Sequence, residues 1–137
     1  MITQTEFDQH LKKFDDYKKE IIYLFDSLSK IKWIQFTGAS KLMHLTILNV
    51  FVMWDGYIRK AWEFKRGNSE DYFNFLKKMQ KEFKDIQKRN GRTFAKCIDE
   101  YNYVKFTLST LEKIEIKRSL LVKIYDDKRT STRREND

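Results

Sequence analysis

Ser69-Glu70-Asp71-Tyr72-Phe73-Asn74-Phe75-Leu76-Lys77-Lys78-Met79-Gln80-Lys81-Glu82-Phe83, running on to Asn90-Gly91, is the stretch on which the fold reading turns. Tyr72, Leu76, Met79, Phe83 and Ile86 recur at intervals of four and three, the period of one face of an α-helix. Ser69 followed by Glu70 and Asp71 supplies the polar, acidic first turn that opens a helix. Asn90-Gly91 supplies the stop, because these residues accept the left-handed backbone of a C-terminal cap. Lys77, Lys81, Lys84 and Lys88 repeat the same spacing one residue on, a stripe of one sign along one flank of the apolar face.

Working outward, the same period appears before this helix. Phe7, Leu11, Phe14, Ile21, Leu24, Phe25, Leu28 and Ile31, with Tyr17 among them, predict one long first helix. It opens at Thr3, whose hydroxyl and Glu6 have the spacing of a capping box. A second helix is expected from about Ala39 to Leu48 with Thr37 as its cap. Asp55 has the chemistry to cap a third, reaching about Lys65. Arg92 to Phe106 reads as a fifth helix and Leu108 to Tyr125 as a sixth or its kinked continuation, weakened at the join by Thr107, Ser109 and Thr110. No proline interrupts the chain, and its four glycines (38, 56, 67 and 91) fall where helices should start or stop. The expected fold is all-α, a single compact domain of five to six helices over residues 1–125, with a polar, frayed tail over 126–137. In it the first helix packs against the fourth and fifth, and the second and third form an angled pair in the centre.

With 137 residues, 41% apolar and 15% aromatic, the chain has enough core for a single domain without disulfides or metals. No apolar run reaches the roughly 18 residues of a membrane span. Residues 1–8 show no basic leader before an apolar block, so no signal peptide and no membrane partner are expected. The single Cys97 fits a reducing, cytoplasmic setting and reads as a small core residue.

The net charge of +8 is local. Residues 56–92 carry eleven basic and five acidic side chains, whereas residues 1–55 balance at seven each. A patch of this kind is the footprint of a polyanionic partner, although AT-rich coding also enriches Lys, Ile, Phe, Tyr and Asn together. Arg59, Lys60, Lys65, Arg66, Lys77, Lys81, Lys84, Lys88, Arg89 and Arg92 are the expected phosphate contacts. Lysine ammonium groups act there as point charges without the fork that reads bases.

The least charged part of the chain lies just before this patch. Between Phe36 and Gly56 only Lys41, His44 and Asp55 are ionisable. A lysine at the start of an apolar helix loses solvation, which lowers its pKa toward a nucleophilic amine. A carboxylate such as Asp55 nearby would orient a reacting group. The bland alternative is that Lys41 reaches water and Asp55 only caps a helix.

Gly38-Ala39-Ser40-Lys41, an apolar helix, then Val52-Met53-Trp54-Asp55-Gly56-Tyr57-Ile58-Arg59 resembles the core of the helix-hairpin-helix DNA glycosylases. The resemblance implies that Lys41 matches the Schiff-base lysine and Asp55 the essential aspartate. The hairpin here has one glycine and no proline, and Lys41 and Asp55 are 14 residues apart, closer than is usual in that superfamily. The wording G-A-S-K…M-W-D and D-E-Y-N-Y-V-K (Asp99–Lys105) is also similar to that of small uncharacterised archaeal or viral helical proteins.

His44 and His10 lack partners at ligand spacing, so no metal or other cofactor is expected, and His44 reads as a hydrogen-bonded core residue. Asp99 and Glu100 read as surface groups or partners of Lys and Arg. The phosphate-loop, serine-hydrolase, dinucleotide and zinc motifs are absent. The leading expectation is a small intracellular protein that associates with nucleic acid through its basic face without catalysis. The alternatives are a glycosylase or lyase acting through Lys41 and Asp55, and an interaction or homodimerisation module using the long first helix.

Overall fold

The computed structural model describes residues 13–47, 50–85 and 91–134, with side chains as far as Lys123. Ile86, Lys88 and Arg89 lie outside the described residues, as do the expected start of the first helix at Thr3 and His10. The regular elements among the described residues are all helices, with no strand: α1 (Lys18–Ser29), α2 (Gln35–Thr46), α3 (Gly56–Ala61), α4 (Ser69–Glu82), α5 (Phe94–Asn102), a π-helical segment (Tyr103–Leu108) and α6 (Ser109–Arg134). The all-α expectation holds.

α4 carries the core. Tyr72, Phe73, Phe75, Leu76 and Met79 are all buried on it, and Asn68 caps its start by accepting from the Asp71 amide at 3.0 Å. α1 packs against α2 and α4, its main neighbours. It brings Ile21 and Phe25 inward, and the Phe25 ring stacks on Tyr72 at 4.7 Å between centroids. Trp54, 1% exposed, closes this cluster edge-on to Tyr72 and Phe25. Rings in these offset and edge arrangements add roughly 0.5–1.5 kcal/mol per pair beyond the area they bury.

Several elements differ from expectation, each for a local reason. The first helix breaks at Tyr17, a turn residue 60% exposed, so Tyr17 does not join the apolar stripe. α2 starts at Gln35, before Thr37, and ends at Thr46 rather than Leu48. The third helix is only six residues long and stops at Ala61, well short of Lys65. Phe64 N donates to Arg59 O and Glu63 N to Lys60 O, the paired bonds that finish a helix, with Glu63 in left-handed backbone at φ 67°. The fifth and sixth helices are one run, joined through the π segment. There Ser109 and Thr110 hydroxyls donate back to the carbonyls of Lys105 and Phe106, each at 2.6 Å. Helix also continues to Arg134, so the frayed tail expected from Asp126 is helical through most of its length. Much of α6 stands clear of the core, with Leu111, Ile116, Leu120, Leu121 and Val122 exposed.

One segment of the core is not helical. Phe51–Trp54 crosses the centre in irregular backbone, with Phe51, Val52 and Trp54 buried. Buried backbone with no strand beside it must find hydrogen bonds elsewhere, and here helix side chains supply them. His44 Nδ1 bonds Phe51 O at 2.7 Å, Tyr72 Oη donates to Val52 O at 2.9 Å, and Met53 N donates to Asp99 Oδ1 at 2.7 Å. Ser40 Oγ accepts from Trp54 N at 3.2 Å. Burial and the nearby Asp99 carboxylate push the Tyr72 hydroxyl well above its ordinary pKa, which keeps it a donor. Replacing Tyr72 by Phe strands the Val52 carbonyl at near-constant volume. The expected loss is about 1–3 kcal/mol in urea denaturation, and a loss below experimental error would show that the strap is not held in this way.

Candidate functional site

The uncharged stretch is built into the core through its neutral residues. Ala39, Ser40 and Trp54 are buried, whereas Lys41 is exposed in the middle of α2 rather than at a helix start. Across the same 14-residue interval it is Ser40 and Trp54 that meet, at 3.2 Å, not Lys41 and Asp55. Asp55 caps α3, as its chemistry predicts, with Oδ1 accepting from Ile58 N at 2.9 Å. Its second oxygen accepts from Thr107 Oγ1 at 2.6 Å, a bond across 52 residues made from the π segment. Both carboxylate oxygens are therefore engaged, and the loss of solvent that would activate the Lys41 amine is not met. Ser40→Ala is expected to cost about 1–3 kcal/mol by stranding the Trp54 amide, whereas Lys41→Ala should stay within about 0.5 kcal/mol of wild type. Thermal or urea denaturation of the two variants side by side checks this ordering.

The expected phosphate contacts fall into three groups. Arg59 is half-buried, its guanidinium over the Trp54 ring at 5.6 Å, and an added Cβ at Gly67 would collide with it. Arg59 is thus packed into the fold. Lys77 pairs with Asp15 at 2.8 Å, Arg66 lies 3.8 Å from Asp71, and Arg92 pairs with Glu100. Lys60, Lys65, Lys81 and Lys84 are exposed. Lys78, which the four-three stripe omits, has its Nζ 5.3 Å from the Trp62 ring and 5.8 Å from that of Phe64. That contact seats Lys78 of α4 beside the 60–66 corner.

A second cluster gathers residues that sequence reasoning left apart. His44, 6% exposed in the last turn of α2, faces Asp99, 5% exposed in α5. Nδ1 of His44 lies 3.3 Å from Asp99 Oδ2, but its hydrogen bond goes to Phe51 O. A carbonyl only accepts, so Nδ1 carries the proton and Nε2 is the free ring nitrogen. Asp99 Oδ2 is buried and has no hydrogen bond of its own. Asp99 is thus not the surface group expected. Nothing in the sequence pairs it with His44, 55 residues earlier. Beside the imidazole lies a cavity of about 280 Å³ lined by His44, Gly91, Arg92, Thr93 and Lys96. Among the described residues no group of acidic, His and Cys side chains is arranged to hold a metal ion, and no helix is long and apolar enough to cross a membrane.

Burial raises the Asp99 carboxyl from 3.8 to about 7, against the opposing pull of the Met53 amide and Lys96. Between those two values the native carboxyl keeps a proton that the unfolded chain has released. The group's contribution to stability therefore falls as pH rises from about 4 to about 7 and is level above that. Asp99→Asn keeps an oxygen for the Met53 amide and removes the titration. The stability difference between the Asp99→Asn variant and the wild-type protein should shift toward the variant across that window and then stop changing, as read from urea midpoints at successive pH values.

No protein-family model, curated protein or solved structure matches this chain.

Proposed function

We propose that this protein binds the phosphate backbone of nucleic acid, without catalysis, through the joined surface of α4 and the 60–66 corner. The observation that supports the reading is the seat of Lys78 on Trp62 and Phe64, which puts the lysine-bearing α4 beside the corner that carries Lys60 and Lys65. Lys60, Lys65 and Lys81 make no ion pair among the described residues, so their charge is available to a partner. Asn74 is exposed on the same outward side of α4 and adds a neutral donor. Point charges of this kind neutralise phosphates and release counterions, giving affinity that falls with salt and little sequence preference.

The enzymatic reading through Lys41 and Asp55 draws no support from an exposed amine and a doubly bonded carboxylate. For self-association through the first helix, Ile21 and Phe25 are spent on the core and Tyr17 and Tyr23 remain exposed.

The test is retention on immobilised duplex and single-stranded DNA over a salt series. Binding should weaken along a straight log–log line, and Lys81→Ala should lower the slope by about 1 with unchanged stability. Absence of retention at low salt rejects the reading.

A further inference from the structure

We propose that the cavity between the end of α2 and the start of α5 is a binding site for a phosphate monoester, contacted by His44 Nε2 and the Lys96 ammonium. The site is separate from the α4 surface and stands or falls independently of it.

Its lining has one sign. Of His44, Gly91, Arg92, Thr93 and Lys96, three are basic and none is acidic. Arg92 is already paired with Glu100, which leaves Lys96, half-buried and in no ion pair among the described residues, as the cation of the wall that a ligand can engage. The volume of about 280 Å³ is at the small end of ligand cavities, suited to a phosphate and little more than its ester group.

His44 points to an anion more specifically than the cations do. It is a polar side chain more than nine-tenths buried, its ring lines the cavity, and Nε2 has no partner among the described residues. Its other nitrogen is held as a donor by Phe51 O, and Asp99 Oδ2 stands 3.3 Å behind it with no hydrogen bond of its own. An anion in the cavity gives this arrangement its missing member. The ring takes a proton on Nε2 and donates it to the ligand, while the ionised Asp99 balances the imidazolium from the far side. Thr93, which also lines the cavity, caps the nine-residue α5 by accepting from Lys96 N at 3.1 Å, so the cavity lies at the positive end of that helix. Two cationic donors and a helix start favour a dianion. A monoester supplies it and a backbone diester does not.

The probe is inorganic phosphate, titrated at constant ionic strength against sodium chloride and followed through the His44 ring signals in NMR, with His10→Gln removing the other histidine. The expected result is a saturable shift of the His44 ring toward the imidazolium form, weakened about tenfold or more in Lys96→Gln, the loss of one charge-assisted hydrogen bond. Lys96 is half-buried and outside the core cluster, so this variant should fold normally. The absence of a saturable shift, or an equal midpoint in Lys96→Gln, overturns the proposal. A 5′-mononucleotide and a 5′-phosphorylated oligonucleotide separate a free metabolite from a nucleic-acid end. A shift of the same size with an unphosphorylated oligonucleotide also overturns the proposal, because only diesters are then present.

Discussion

The structure depends on how a buried, non-helical strap, Phe51 to Trp54, satisfies its backbone. Helices bond their own amides and carbonyls and can be buried whole, but this segment cannot, and it runs through the centre of the aromatic core. Side chains from α2, α4 and α5 each reach it: Ser40 and His44, Tyr72, and Asp99. These bonds add directional ties between the strap and three separate helices, and they help set the depth at which Trp54 sits. Asp55 extends the same scheme by one residue, capping α3 and holding Thr107 of the π segment.

The same polar groups give the protein its chemical character. Met53 uses one oxygen of Asp99, and the other is left beside an imidazole with nothing to accept from. A carboxyl in that position is destabilising when ionised unless the neighbouring ring is charged, and His44 itself lines a cavity with Gly91, Arg92, Thr93 and Lys96. His44 is tied to the fold because the carbonyl that orients its ring, Phe51 O, belongs to the strap, and Asp99 beside it anchors the strap at Met53. The basic surface on α4 is of another kind. Lys60, Lys65 and Lys81 are exposed, Lys77 is paired with Asp15, and apart from the Lys77 and Lys78 ammonium groups lying over rings these lysines contribute little to the core.

Much of this was readable in the chain. The four-three spacing of Tyr72, Leu76 and Met79 marks a buried face, and all three are in the core. Asp55 was legible as a cap because capping is a local bond between a carboxylate and an amide three residues on. Other readings failed where a long-range bond overrode local preference. The rarity of charge around Lys41 suggested a desolvated amine and the structure leaves it exposed, because sequence shows which residues differ from their surroundings and not which way they point. Thr107, Ser109 and Thr110 weakened the helical case at the join and left open whether a new helix or a continuation follows. They sit inside a continuous helical run whose π segment brings the Thr107 hydroxyl to Asp55.

The sequence by itself determined the all-helical class, the aromatic core and the concentration of positive charge after Gly56, since periodicity, composition and charge are additive along the chain. Only the tertiary structure decided that Ser40 meets Trp54, that Lys78 sits over Trp62 and Phe64, and that Asp99 lies beside His44. The physical reason is distance along the chain. These contacts connect residues from 14 to 55 positions apart, and those of Ser40, His44 and Asp99 form because the strap, lacking a strand of its own, draws polar side chains from separate helices into the interior.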